Sequence, residues 1–184
     1  MKNILKVTND VLDSLGMQNF ENINNLEYQK YYKDKSGSEH YRLLSYISDS
    51  FENQIFVDIG TLKGCSALAL STNPKNKVYS FNLIEQKELK SFPDNCEFIL
   101  GDVVNGNYDD LLEKSKLILL DTNHDGSFEN HFHNYLISKN FKVVVMYDDI
   151  FLNKAMIEFW NSINLEKENI TSIGHSTGTG VVYY

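Results

Sequence analysis

Three carboxylates and one histidine are the residues whose placement most invites chemistry. The apolar run Leu117–Leu120 leads into Asp121-Thr122-Asn123-His124-Asp125-Gly126, and a second run over 143–147 leads into Asp148-Asp149-Ile150. Both runs read as strands. If they are parallel neighbours, Asp121, Asp148 and Asp149 end at one sheet edge, where bare carboxylates repel. A divalent cation with oxygen ligands is the usual remedy, Mg2+ first, with Ca2+ or Mn2+ as alternatives. Taken singly, each acid is equally a solvated turn aspartate. His124 follows Asp121 by three residues, and because imidazole titrates near neutrality it is the candidate general base; a plain loop histidine is the alternative. His131 and His133 are spaced for no single helix face, and His40 and His175 stand alone, so these four read as structural. Asp121-x-Asn123-x-Asp125-Gly126 matches the first half of a calcium loop. Its twelfth position is Phe132 instead of a bidentate Glu, which argues against a calcium sensor.

A second constellation lies upstream. The strand Ile55–Ile59 ends in an acid and runs through Gly60-Thr61-Leu62-Lys63-Gly64-Cys65-Ser66 into an apolar helix. Gly60 and Gly64 remove the Cβ atoms that would block close backbone approach, and a following helix offers free N–H groups. The spacing is not the G-x-G-x-x-G of a dinucleotide site. In open parallel sheets ligands bind beyond the carboxyl ends of the strands, which adds Asn82 after the second strand and Gly101-Asp102-Val103 after the third. Asp102 is also well placed to be an ordinary turn or N-cap aspartate.

These residues need a scaffold of short strands alternating with helices or loops. Apolar runs at 55–59, 77–83, 96–100, 117–120 and 142–147 supply it, the signature of a parallel sheet with crossovers. Two further strand-like pieces, 170–174 and 180–184, predict an antiparallel edge around Ser176-Thr177-Gly178-Thr179. Ile4, Val7, Val11 and Leu15 recur at helical spacing and predict a first helix. Ser36-Gly37-Ser38-Glu39 has the order of a capping box before the apolar face Leu43, Leu44 and Ile47. The crossover over 84–95 is barely long enough for its geometry, so its helix is expected to be very short or missing. Tyr28, Tyr31, Tyr32 and Tyr41 form an aromatic cluster that could line an acceptor pocket or pack on the sheet.

The chain has 184 residues, 42% hydrophobic and 23% charged, with a net charge of -8. That fits one domain spanning 1–184, with residues 1–50 as an N-terminal helical cap. The acidic balance argues against phosphate neutralisation, so no nucleic-acid partner is expected. Met1 to Leu15 is too interrupted by polar residues for a signal peptide or a membrane span, and no membrane partner is expected. The two cysteines, Cys65 and Cys96, form no CxxC pair, which fits a reducing cytoplasm.

The turn Asp-x-Gly-x-x-x-Gly-x-Ser (Asp58, Gly60, Gly64, Ser66) resembles motif I of class I S-adenosylmethionine (SAM) methyltransferases, and more narrowly the metal-dependent O-methyltransferases of the catechol O-methyltransferase type and family 24. Five parallel strands followed by a hairpin are similar to the Rossmann-like, mostly parallel seven-stranded sheet of that fold, with the resemblance running from about Ser36 to the C-terminus. It implies SAM binding by Asp58, Gly60, Thr61, Gly64, Ser66, Asn82, Asp102 and Val103, with Asn82 near the ribose and Asp102 near the adenine. It implies a cation on Asp121, Asp148 and Asp149, and it gives His124 the place of the family 24 Asp-x-x-His. It also places His40, beside Ser36-Gly37-Ser38, on the cofactor side. The expected activity is methyl transfer to an oxygen of a small polar or sugar-like acceptor. Asn82 stands where the family usually has an acid, so a non-catalytic SAM-fold binding protein, or another SAM-using enzyme, is the alternative.

Overall fold

The computed structural model describes residues 1–18, 20–85 and 88–184; Asn19 in the polar N-terminal stretch, and Gln86 and Lys87 in the short crossover, lie outside them. At its centre is β1 (Ile55–Ile59), flanked by β2 (Lys77–Asn82) and β4 (Leu117–Leu120), both parallel to it. Beyond β2 lies β3 (Cys96–Leu100), and beyond β4 lies β5 (Val144–Asp148), again parallel. The last strand β7 (Thr179–Tyr183) pairs antiparallel with β5 and with β6 (Lys167–Asn169), which closes the order β3-β2-β1-β4-β5-β7-β6. Continuous apolar runs such as β4 are buried throughout because both sheet faces are covered.

One face carries α3 (Tyr41–Asp49) and α4 (Cys65–Leu70), whose Leu43, Leu44, Ile47 and Leu68 pack with Phe56 and Leu119. The other carries α5 (Asp109–Lys114), α6 (Ser127–Lys139) and α7 (Lys154–Ser162), whose Leu112, Phe132, Leu136 and Phe159 pack with Val57, Ile118 and Tyr147. The chain leaves β1 for β2 and β3, then returns to β4 on the other side. This reversal opens a crevice at the carboxyl ends of β1 and β4.

Three local expectations are corrected, and one helix is added. The predicted first helix is a 3-10 turn (Ile4–Lys6) and a short α1 (Asn9–Asp13), separated by extended Val7 and Thr8; Leu5 and Leu12 are the buried residues, while Val11 is exposed. β-branched residues are poor helix formers, and Thr8 occupies the N-cap position. The capping box does not form. α3 starts after His40, and Ser36 instead donates from its backbone N–H and hydroxyl to Asp13 at 2.8 and 3.0 Å. The expected strand at 170–174 is a turn, because the Asn169 side chain accepts from the N–H and hydroxyl of Thr171 at 3.0 and 2.6 Å and ends β6. Its apolar pattern belongs to Ile170 and Ile173, which are buried anchors. A helix over Leu26–Lys33 (α2), capped by Asn25, falls on the tyrosine cluster and was not foreseen.

Among the described residues no helix joins β2 to β3. Leu89 instead makes an antiparallel bridge to Ile23, and the N–H of Asn24 donates to Glu88 O at 2.7 Å. The N-terminal region thus props the wall that a crossover helix would otherwise build.

Gly60 is required by the sheet itself. It has φ +95, and a Cβ there would lie 1.8 Å from the Asp121 carbonyl oxygen. A strained φ and an overpacked contact against backbone together predict that Gly60→Ala loses about 3 kcal/mol or more of stability in a denaturant melt. An unchanged midpoint would contradict this account of the turn.

Candidate functional site

A cavity of about 670 Å³ opens at the carboxyl ends of β1 to β4. Gly60, Thr61 and Ser66 line one side, Asn82, Asp102 and Val103 another, and Asp121 and His124 a third. Tyr28, Tyr41 and Phe128 add aromatic surface. Tyr32, by contrast, is a fully buried core residue, and the Tyr31 hydroxyl donates to Glu27 on the helix surface at 2.7 Å.

Asp58 lies beneath the cavity and does not line it. It is fully buried, and its Oδ2 accepts from the Ser80 hydroxyl at 2.8 Å. Burial pushes its pKa up to about 6, opposed by the hydroxyls of Ser80, Ser66 and Thr61. Its place is therefore structural, fixing the turn from below. Gly64, at φ +92, leaves room for Leu89, whose Cδ1 would lie 2.9 Å from a Cβ there.

Asn82 accepts from the Leu83 N–H through Oδ1 at 3.1 Å, while its Nδ2 is buried without a partner. A buried donor facing a cavity calls for an acceptor from a ligand. Asp102 is largely spent on its own turn. It accepts from the N–H of Val104 at 2.8 Å, and its Oδ2 from Asn105 Nδ2 at 2.6 Å. Burial works against these bonds, but they prevail and hold its pKa below the usual value.

At the end of the cavity the strand ends bring Asp121, Asp148 and Asp149 together with three histidines in alternation. His124 Nε2 is 3.1 Å from Asp121 Oδ1 and 3.3 Å from Asp149 Oδ2. His175 Nδ1 is 3.2 Å from Asp148 Oδ2 and 3.1 Å from Asp149 Oδ1. His40 Nδ1 is 3.2 Å from Asp148 Oδ2, and its Nε2 is 4.0 Å from Asp121 Oδ2. Burial disfavours charge on these rings, yet the aspartates prevail: His40 is raised to about 9, His175 to about 11, and His124 is raised as well. Asp148 is held well below the carboxylate range despite its burial, chiefly by His40 and His175, whereas burial raises Asp121.

Backbone geometry fixes this arrangement. His124 and Asp149 both adopt positive φ, 54 and 57 degrees, a costly conformation for residues other than glycine. The Asn153 side chain donates to the His124 carbonyl at 2.7 Å, and the N–H groups of Ile150 and Phe151 tie Asp149's turn to Gly178 and Thr177. Asp125 turns away to accept from Ser127, and Phe132 is core, so no calcium loop forms.

Glu39 and His175 were not legible as site residues, and His40 was marked only by the resemblance. His40, which the resemblance put on the cofactor side, and His175, read as structural, come to the cluster because α3 starts four residues later than a capping box on Ser36 dictates and because β7 brings its preceding loop beside β5. His133 is structural, with Nδ1 2.5 Å from the Tyr184 hydroxyl. His131, on α6, makes a ring contact with Phe128.

No protein-family model and no curated protein matches this chain. Solved structures do. The cofactor-bound Rv0187 from MTB aligns at 15% identity with a TM-score of 0.57, covering 78% of each chain. The SAH-bound Podospora anserina methyltransferase PaMTH1 aligns at 15% identity with a TM-score of 0.56, covering 78% of this chain and 77% of that one. A candidate caffeoyl-CoA O-methyltransferase from Staphylococcus aureus aligns at 10% identity and 0.56, covering 78% and 81%. The chain therefore has the fold of the class I SAM-dependent methyltransferases, with its mostly parallel seven-stranded sheet and C-terminal antiparallel hairpin.

Proposed function

We propose that this chain is a SAM-dependent methyltransferase that delivers a methyl group to an oxygen of a small polar acceptor, aided by a divalent cation at Asp121, Asp148 and Asp149. The observation that carries this reading is a shared wall: Asp121 and His124 line the same cavity as Gly60, Asn82 and Val103. A nucleoside-sized ligand fits a cavity of about 670 Å³, and the unpartnered Nδ2 of Asn82 supplies a donor suited to a ribose hydroxyl. Clustered carboxylates and a buried His40 whose ring nitrogens lack hydrogen-bond partners fit a cation. Bound SAM would supply the electrophilic methyl, and the cation would acidify an acceptor hydroxyl.

The protein's own part is positioning. Thr61, Ser66, Asn82 and Val103 hold one partner, and His124, oriented by Asp121 and Asp149, takes the acceptor's proton. Residues 1–50 act as a helical cap within one catalytic unit of 1–184, through Tyr28 and Tyr41. No helix of the described residues is long and apolar enough to cross a membrane; a cytoplasmic location is part of the proposal.

Calorimetry with SAM and SAH tests the cofactor half. Both should bind, and Asn82→Ala should weaken SAH roughly tenfold, the worth of one hydrogen bond of about 1.4 kcal/mol. The melting temperature should change little, since Asn82 Nδ2 has no protein partner to lose and Oδ1 accepts only the exposed N–H of the adjoining Leu83. Absence of heat with both ligands would overturn the assignment. The neutral Asn82 and the locally engaged Asp102 favour a second reading, a SAM-fold module that binds without turnover. Tight SAH binding with no methyl transfer to sugars, catechols or hydroxylated metabolites would support it.

A further inference from the structure

Each group of three potential ligand atoms gathered within 4.8 Å of one another contains an imidazole: Glu39 with His40 and His175, His40 with Asp121 and Asp148, and Asp148 and Asp149 with His175. The three aspartates alone form no such group among the described residues. We infer that the cation site is a mixed nitrogen–oxygen site that takes a first-row transition ion such as Zn2+ or Co2+ in preference to Mg2+ or Ca2+, with His175 and His40 as ligands beside Asp148. This rests on the proposal that the cluster holds a cation, and it extends that proposal to the ion's class and to residues outside the aspartate set.

Three independent observations support it. The first is His40, whose side chain is 2% exposed and whose ring nitrogens both lack a hydrogen-bond partner, although Nδ1 is 3.2 Å from Asp148 Oδ2. An imidazolium held this way would face Asp148 with Nδ1 but leave its Nε2–H, 4.0 Å from Asp121 Oδ2, unspent, at the cost of any buried unpaired donor. As a neutral ring, His40 would instead present a lone pair to an ion between itself and Asp148.

The second is the two-sided setting of His175. Its Nδ1 faces Asp148 and Asp149, while Nε2 faces Glu39 Oε1 at 3.7 Å. A ligating histidine commonly turns its far nitrogen to a carboxylate, which fixes the tautomer and orients the ring. Glu39 takes that place: its side chain is half-buried, and the capping box that would have engaged it at α3 does not form.

The third is the support behind the ligands. Thr179 Oγ1 accepts from the His175 N–H at 2.8 Å and donates to Asp148 Oδ1 at 3.3 Å, and the Thr177 hydroxyl donates to Asp149. Such outer contacts hold ligands in place before an ion arrives. Imidazole nitrogen suits Zn, Cu, Fe and Ni, whereas Mg2+ and Ca2+ favour all-oxygen shells. The donor set therefore selects the ion class.

The test uses the full chain freed of metal by chelator. Competition against a chromophoric chelator should show Zn2+ and Co2+ binding far more tightly than Mg2+ or Ca2+, and the Co2+ form should show visible ligand-field bands. Glu39→Gln should weaken Zn2+ by roughly 10–100-fold, the usual cost of losing an outer-shell partner, and His175→Ala should weaken it at least as much. Pulsed EPR on the Cu2+- or Mn2+-loaded wild type should show nitrogen couplings from imidazole, a readout that needs no variant to fold. Equal affinity for Mg2+ with no nitrogen coupling would overturn the inference while leaving an aspartate-held cation intact. Absence of binding by every ion would overturn both, and would leave the histidines as the charges that neutralise the aspartates.

Discussion

Asp148→Asn is expected to cost the metal-free protein about 3–5 kcal/mol of stability, the range found when one partner of a buried ion pair is removed. Asp148 is 2% exposed and stands between His40 and His175, each 3.2 Å away, so its loss leaves the buried His40 and the half-buried His175 without their shared counter-charge. The wild type should show the pH dependence that follows. His40 and His175 have folded pKa values raised to about 9 and about 11, so they bind more protons folded than unfolded above about pH 6.5. Their stabilisation is full below that pH and is lost as pH rises through the folded values. Asp58, raised to about 6, acts in the same direction between about pH 4 and 6. Asp148 is depressed, so its contribution is present above its unfolded pKa and lost only in acid. The metal-free melting temperature should therefore fall from pH 6.5 to 9, and Asp148→Asn should flatten that slope. Added divalent cation should raise the wild-type melting temperature by mass action and leave the variant unmoved. A variant that melts with the wild type at every pH would contradict the charge cluster described here.

His124→Ala is expected to lower methyl transfer about a hundredfold or more, as loss of a general base does. SAH affinity should stay nearly constant, because the proposed cofactor contacts are Thr61, Ser66, Asn82 and Val103. The wild-type rate should climb with pH as His124 loses its proton, and the climb should be absent in the variant. Burial opposes charge on this ring, but Asp121 and Asp149 raise its pKa above the ordinary 6.5. Wild-type rates in His124→Ala would make it a loop residue and move proton removal elsewhere.

The strands could be read from the sequence where burial on both faces demands apolar runs, as in β1 and β4, and the edge strand β3, though part-exposed, also falls within its predicted limits. The N-terminal region could not, because Ile4, Val7 and Val11 imitate a helical face while the chain turns at Val7 and buries Leu5 and Leu12 instead. Strand ends announced Asp121, Asp148 and Asp149, since the position of an acid after an apolar run is local information. Glu39 and His40 reach the same place from more than a hundred residues away, and His175 through the antiparallel pairing of β7 with β5; nothing in the local sequence marks them, and only the resemblance pointed to His40. Gly60 was legible as a special turn, but the reason lies in the Asp121 carbonyl against it, a contact that only the register of β1 with β4 creates.

The central claim is that the cofactor cavity and the acidic cluster are one methyl-transfer site. Anomalous diffraction at the manganese edge, from crystals grown with SAH and Mn2+, tests it most directly. The account predicts SAH in the cavity with its ribose against Asn82, and a manganese peak among Asp121, Asp148 and Asp149 beside His124. SAH bound elsewhere, or a cavity that stays empty while the aspartates draw no metal at saturating Mn2+, would contradict it.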